Sequence, residues 1–232
     1  MGIIKIGIPG LDEMLCGGIP EGHTVAIMGS PGTGKSTFVL QFIHTGLQNG
    51  ENCVYISLEE SEANLIKTAL IYGWDLRPYI ENKKLTLVNL NTLNFKAMIT
   101  RFESDLPKLL TSFNIKRIAI DPITLYEMLF DTESERRDHL FNFAQVIKET
   151  GITAVMTSEI SQENPYYSKY GLIEYITDGV IVLRQVRHVD LEAVTTFLEV
   201  LKMRHIEHSK EIKPYNITNG GIVVHNSSGV FI

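Results

Sequence analysis

"TVAIMGSPGTGKSTFVLQ", residues 24–41, decides the fold. A short β-prone run over 24–29 ends in glycine, a stretch of Gly, Ser, Pro and Thr follows, and from Lys35 the apolar residues fall at helical spacing. Gly29, Gly34, Lys35 and Ser36 satisfy G-x-x-x-x-G-K-[ST], set between a strand and a helix as that motif requires. Gly32 and Gly34 let the backbone curl so that its N–H groups face inward as an anion nest. The helix that starts near Gly34 points its positive dipole end at the same place. Lys35 suits the β- and γ-phosphates of a nucleotide, and the Ser36 hydroxyl suits Mg²⁺. Ser30, Pro31, Gly32, Thr33, Gly34, Lys35, Ser36 and Thr37 are therefore the expected phosphate cradle.

Outward from that loop, strand-like and helical patterns alternate. Strands are expected over 24–29, 53–58, 84–90, 117–121 and 152–158, and helices over 35–48, 61–73, 95–113 and 131–149. Ser61 is a candidate N-cap, and Pro107 must interrupt or restart the 95–113 helix. This order predicts an α/β fold with a mostly parallel sheet covered by helices on both faces. The ending differs. "DGVIVLRQV", "AVTTFLEVLKMR", "KPYNIT" and "GIVVH" are strand-like with short turns between them, which predicts an antiparallel extension of the same sheet. No linker, repeat or low-complexity tract divides the chain, so residues 1–232 are expected to form one domain.

Composition narrows the function classes. The chain of 232 residues is 44% hydrophobic and 21% charged, ordinary values for a soluble globular protein. A net charge of −6 argues against a protein that coats nucleic acid. Two cysteines, Cys16 and Cys53, cannot build a disulfide framework and suit a reducing compartment. "MGIIKIGIPG" has neither the pattern of a signal peptide nor the Ser or Thr at position 6 that myristoylation needs. No apolar run approaches a membrane span. A cytoplasmic protein is expected.

Two acidic positions complete the chemistry. Asp121 closes a short apolar strand and fits the Walker-B role of holding Mg²⁺, although an Asp before Pro122 also suits a helix N-cap. "YISLEES" (55–61) places Glu59 and Glu60 at the carboxyl end of the strand that follows the P-loop helix, where ligands of such sheets bind. Hydrolysis needs a carboxylate there to orient and deprotonate water. Neighbours on an extended chain point to opposite sides, so one of the two serves, and Glu59 is favoured. The bland alternative is a pair of solvated acids in the first turn of a helix.

"IPGLDEMLCGGIPEGHTVAIMGSPGTGKST", with "YISLEES", "GWDL", "TSE" and "DGVIVL", resembles one domain of the circadian-clock KaiC family and its single-domain relatives within the RecA superfamily. The likeness runs from about Gly7 to about Val224. It implies a RecA-like P-loop NTPase fold, ring hexamers and ATP bound between neighbouring subunits. It matches Glu59 and Glu60 to the family's paired glutamates and Lys202 and Arg204 to a pair that reaches the neighbour's γ-phosphate. Lys202 and Arg204 stand two apart on an expected strand and so leave the same face, although two basic residues on an edge strand also guard against aggregation. His208 and Lys210 match positions near that interface, and Thr218 one near the base.

Some positions depart from the family. Cys16 interrupts its glycine run, and His205 and Ile206 replace a small and a hydroxyl residue. Glu174-Tyr175 stands where the clock protein's second domain has its Ser-Thr phosphate acceptors, which argues against autophosphorylation there and against a clock role.

The leading reading is a slow Mg²⁺-dependent ATPase in a ring, regulatory, with an unidentified protein partner. A RadA/RadB-like recombinase paralogue binding single-stranded DNA is the alternative, through Tyr166, Tyr167 and Tyr170 of "SQENPYYSKYG", but that loop has one Lys and no basic stripe. A non-hydrolysing scaffold is the third. The seven histidines show no zinc spacing, Trp74 is expected in the core, and "DTESERRDHL" (131–140) reads as a solvated helix face.

Overall fold

Six neighbouring strands run parallel within one nine-stranded sheet, and three more continue it antiparallel from one edge. The computed structural model describes residues 2–90, 105, 106, 108, 110–188 and 193–226. In chain order the elements are β1 (Ile3–Ile4), α1 (Leu11–Met14), β2 (Ile19–Pro20), β3 (Thr24–Gly29), α2 (Lys35–Gln48), β4 (Asn52–Ser57), α3 (Glu62–Ile71), α4 (Arg77–Glu81) and β5 (Leu85–Asn89). There follow β6 (Ile115–Asp121), α5 (Ile123–Glu127), α6 (Glu133–Thr150), β7 (Thr153–Ser158), α7 (Ile173–Ile176), β8 (Gly179–His188), β9 (Ala193–Met203), β10 (Lys213–Thr218) and β11 (Gly221–Val224). Most of the helix expected over 95–113 lies outside the described residues.

The sheet order is β11-β10-β9-β8-β3-β7-β6-β4-β5, with β8, β3, β7, β6, β4 and β5 parallel and β9, β10 and β11 antiparallel. The chain leaves β3 for β4, three places away, and later returns to fill β7 and then β8 on either side of β3. The strand that carries the P-loop is thus central, with a switch in direction beside it, where ligands of open α/β sheets bind. A small antiparallel pair, β1 and β2, stands apart from this sheet.

Alternation along each strand feeds two cores. Val25, Ile27, Tyr55, Ala119, Val155, Ile181 and Leu183 pack with α2 and α3, whereas Ala26, Met28, Val54, Ile118, Ile120, Met156 and Val182 pack with α5, α6 and α7. Local signals set the helix ends. Ser61 accepts from the Asn64 amide at the start of α3. Thr132 and Glu135 form a reciprocal capping box on α6, and Gly151 ends that helix with φ 69°. The polar 131–149 stretch is thus the capped helix its pattern predicts. Trp74 is buried, as expected, and stacks on His44 at 5.3 Å between ring centroids.

Candidate active site

The segment between β3 and α2 turns as its glycines require. Gly32 and Gly34 have φ angles of 81° and 86°, and Gly34 is the N-cap of α2. A Cβ at Gly29 would come within 2.5 Å of Thr33 Oγ1 and 2.8 Å of the Leu183 carbonyl oxygen, so the loop closes too tightly there for any side chain. Thr33 Oγ1 donates to the Ser30 carbonyl at 2.8 Å. Lys35 Nζ donates to the carbonyls of Gly29 and Ser30 at 2.9 and 3.1 Å. Burial pulls this ammonium below the usual lysine range, and the charges of Asp121, Glu159 and Glu59 oppose that pull.

Two groups without a motif clasp the loop from outside. The Tyr215 hydroxyl donates to the Thr33 carbonyl at 2.6 Å, and Gln185 Nε2 donates to the Gly32 carbonyl at 2.9 Å. They come from β10 and β8, which only strand order brings to the P-loop. The β10–β11 hairpin is tied to α2 as well, because Gln41 bonds both the amide and the carbonyl of Ile222. Thr218 closes the turn of that hairpin by donating to the Gly221 carbonyl, and its neighbour Ile217 faces Gly34. At the far side of the loop the Thr37 and Tyr72 hydroxyl oxygens lie 3.0 Å apart.

Asp121 ends β6 and is buried. The Tyr55 hydroxyl donates to Oδ2 at 2.6 Å, and the Thr157 hydroxyl donates to Oδ1. Burial, followed by the nearby Asp121 charge, holds the Tyr55 phenol far above its ordinary range, so it remains a donor. The helix-capping alternative for Asp121 fails, because Pro122 is the N-cap of α5 and no side chain caps that helix. Asp121 and Ser36 offer oxygen donors, which fit a hard cation such as Mg²⁺. Among the described residues no group of three or more His, Cys, Asp or Glu side chains could hold a metal alone.

Glu59 and Glu60 follow β4, both exposed, and differ in their ties. Glu60 is fixed by backbone bonds in both directions with Ser57 Oγ, and its carboxylate accepts from Asn64 Nδ2 at 3.0 Å. Glu59 is the one whose charge acts on Lys35. Glu159, which no motif assigned, acts on Lys35 more strongly than Glu59 does. It follows β7, its N–H donates to Thr124 Oγ1 at 2.9 Å, and its carboxylate accepts from Lys169 Nζ at 2.8 Å.

A family model described as "ATPase: KaiC" matches residues 4–229. The chain belongs to this family. The crystal structure of a KaiC-like protein from the hyperthermophilic archaeon Pyrococcus horikoshii OT3 is 35% identical, superposes with a TM-score of 0.83, and covers 97% of this chain and 99% of its own. The circadian clock oscillator protein KaiC of Acaryochloris marina is 31% identical over 226 residues, 93% of this chain. That of Prochlorococcus marinus subsp. pastoris is 32% identical over 232 residues. The chain spans 42% and 44% of the length of these two curated relatives. The RecA-like fold and a nucleotide-binding family follow. No helix among the described residues is long and apolar enough to cross a membrane.

The residues matched through the KaiC likeness fall at two ends of the sheet. Thr218 joins the P-loop end, whereas Lys202, Arg204 and His208 do not. Met203 is level with Gly179 and Val25, four residues before Gly29, so the basic pair lies about 13 Å below the P-loop. β9 ends at Met203, which corrects the placing of Arg204 on a strand. Arg204 sits in the turn that follows, its amide donating to the Asp178 carbonyl and Nη1 lying 3.3 Å from Asp178 Oδ1. Lys202 Nζ donates to the carbonyls of Glu174 and Thr177 at 2.5 and 2.6 Å. His208 Nδ1 lies 3.0 Å from the Ser209 carbonyl, and the Ser209 amide bonds Met14.

The departures from the KaiC pattern have local consequences. Cys16 has φ 53°, a left-handed backbone that glycine would adopt at lower cost. His205, at φ 67°, sets Nδ1 2.9 Å from His23 Nε2. In the tyrosine loop, Arg184 donates to the Tyr166 hydroxyl and Arg136 covers the Tyr170 ring at 3.9 Å.

Proposed function

We propose that this KaiC-family chain is a Mg²⁺-dependent ATPase that works in a ring of identical subunits, with each site completed by a neighbour and a regulatory role toward a protein partner. The observation that carries the reading is the separation of Lys202 and Arg204 from their own P-loop. Basic side chains about 13 Å below the loop, at the opposite ends of the strands, serve a phosphate on the next subunit rather than their own.

Each residue then has a task. The P-loop amides and Lys35 bind and orient the β- and γ-phosphates, and Ser36 and Asp121 hold Mg²⁺, which when bound neutralises charge on the phosphates. Tyr55 and Thr157 fix the Asp121 carboxylate. Glu59 takes the proton of the attacking water, its acid placed where Lys35 feels it. Lys202 and Arg204 exchange their carbonyl and Asp178 contacts for the neighbour's γ-phosphate, with His208 beside them.

ADP release from Mg²⁺-ATP, measured over a range of protein concentrations, tests this. Turnover per subunit should rise with concentration. Lys35→Ala should abolish nucleotide binding and Arg204→Ala should remove hydrolysis alone, while a mixture of the two variants should recover part of the activity. Constant turnover per subunit together with inert mixtures would reject the shared site.

A further inference from the structure

Helix α5 begins two residues after Asp121 and ends on Glu127. The Glu127 side chain is 0% exposed, and among the described residues neither of its carboxyl oxygens has a hydrogen-bond partner. Charged groups face it from each neighbouring element: Glu174 on α7, Arg136 on α6, and Lys169 and Glu159 in the segment after β7. Burial, and then the Glu174 charge, push this carboxyl up to about 8 against the opposing pull of Arg136 and Lys169. It is uncharged in the folded protein at neutral pH.

These neighbours are tied to the two ends of the proposed site. Arg136, the cation on α6, is occupied by backbone. Its Nε donates to the Glu127 carbonyl at 3.0 Å and its Nη2 to the Phe130 carbonyl at 2.9 Å. Glu159 and its partner Lys169 belong to the phosphate end, since the Glu159 charge acts on Lys35. Glu174 belongs to the other end. Its carboxylate accepts from the Ser168 amide and hydroxyl, while its own carbonyl accepts from Lys202.

We propose that Glu127 is a positioning residue: its uncharged side chain lets the 159–178 segment close onto α5, and its ionisation loosens that segment together with the Glu174 and Thr177 carbonyls that hold Lys202. A charge at Glu127 repels Glu159 and Glu174 from beneath. Arg136, the strongest opposing charge, is already engaged by the Glu127 and Phe130 carbonyls. The link to catalysis rests on the role given to Lys202 above, whereas the movement itself does not.

Amide hydrogen exchange across 159–178, followed by mass spectrometry on the full chain from pH 5 to pH 10 and corrected for intrinsic rates, tests the movement. Wild type and Glu127→Gln should be nearly equally protected at pH 5. From pH 5 to about pH 8, wild type should lose protection by up to about tenfold per pH unit and then level off while Glu127→Gln holds, because between the ordinary carboxyl value of 4.5 and the closed-state value each unit favours the opened, ionised segment tenfold. Glu174→Gln, which removes a repelling charge and leaves Glu127 in place, should bring the levelling-off to lower pH and shrink the total loss, and it serves if Glu127→Gln fails to fold. Parallel profiles in wild type and Glu127→Gln, or a levelling-off that Glu174→Gln leaves unmoved, would overturn the proposal. If ATP is hydrolysed, wild-type turnover should fall over the same range and Glu127→Gln turnover should not. A chain without hydrolysis but with the pH-dependent exchange would reject the ATPase reading and leave the proton link standing.

Discussion

Arg117 and Glu127 are both buried in the stretch that runs from β6 into α5, on opposite faces of the sheet, and the fold treats them in opposite ways. Arg117 is 1% exposed and held on several sides. It pairs with Glu51 at 2.6 and 3.0 Å, donates to the carbonyls of Lys5 and Phe42, and lies over the Phe42 ring. Among the described residues Glu127 has no such cage. Asp121, between them in sequence, is the intermediate case, with two hydroxyl donors fixing a carboxylate that keeps capacity for a cation. A buried charge that is fully paired ties elements together and does nothing else. One left unpaired is neutral at rest and remains free to respond.

The largest effect should come from breaking the paired case. Arg117→Ala leaves Glu51 and two carbonyls without their donor and should lower the unfolding free energy by about 3–5 kcal/mol in urea denaturation. A loss near zero would remove the contrast with Glu127.

Next comes Glu127→Gln, read as a difference between pH 5 and pH 7. The folded carboxyl, at about 8, lies above its ordinary value of 4.5, so in this window the unfolded chain sheds a proton that the folded chain keeps. Stability therefore falls as pH rises, and wild type should lose about 2–3 kcal/mol relative to Glu127→Gln. Parallel stability profiles would place Glu127 with the paired charges.

Tyr55→Phe probes the intermediate case. Losing one donor to the buried Asp121 carboxylate should cost about 1–2 kcal/mol in thermal unfolding and weaken Mg²⁺-dependent nucleotide binding more than metal-free binding. Equal weakening with and without Mg²⁺ would detach Asp121 from the cation.

The smallest effect belongs to an exposed pair. Lys169→Met, which removes the Glu159 partner, should change stability by less than about 1 kcal/mol. Because Lys169 lowers the Glu127 carboxyl, the same variant should also let the loosening of the 159–178 segment continue to higher pH before it levels off.

The strand–loop–helix of 24–48, the alternation that follows it and the antiparallel ending were legible in the sequence. They rest on local chemistry, namely glycine φ angles, apolar periodicity and caps such as Ser61 and Thr132. Motif spacing put forward Lys35, Ser36 and Asp121 as candidate site residues. Family likeness, rather than spacing, supplied Lys202 and Arg204, and the spacing argument misplaced Arg204 because β9 stops at Met203. Gln185, Tyr215, Tyr55, Thr157 and Glu159 carried no signal that spacing could show. Each reaches the loop, Asp121 or Lys35 only because β8 and β7 flank β3, β6 lies between β7 and β4, and β10 continues the sheet beyond β9.

The sequence by itself determined the element types and the phosphate loop, since these depend on residues a few positions apart. Tertiary structure decided which charges are paired. Arg117, next to Lys116, and Glu127, in an apolar run, carry no local sign of which one finds a partner. Their difference arises because Glu51 and the Lys5 carbonyl fold against one, whereas Glu174 and Glu159 fold toward the other. Desolvation acts on both, and only the long-range packing of partners determines whether it is compensated.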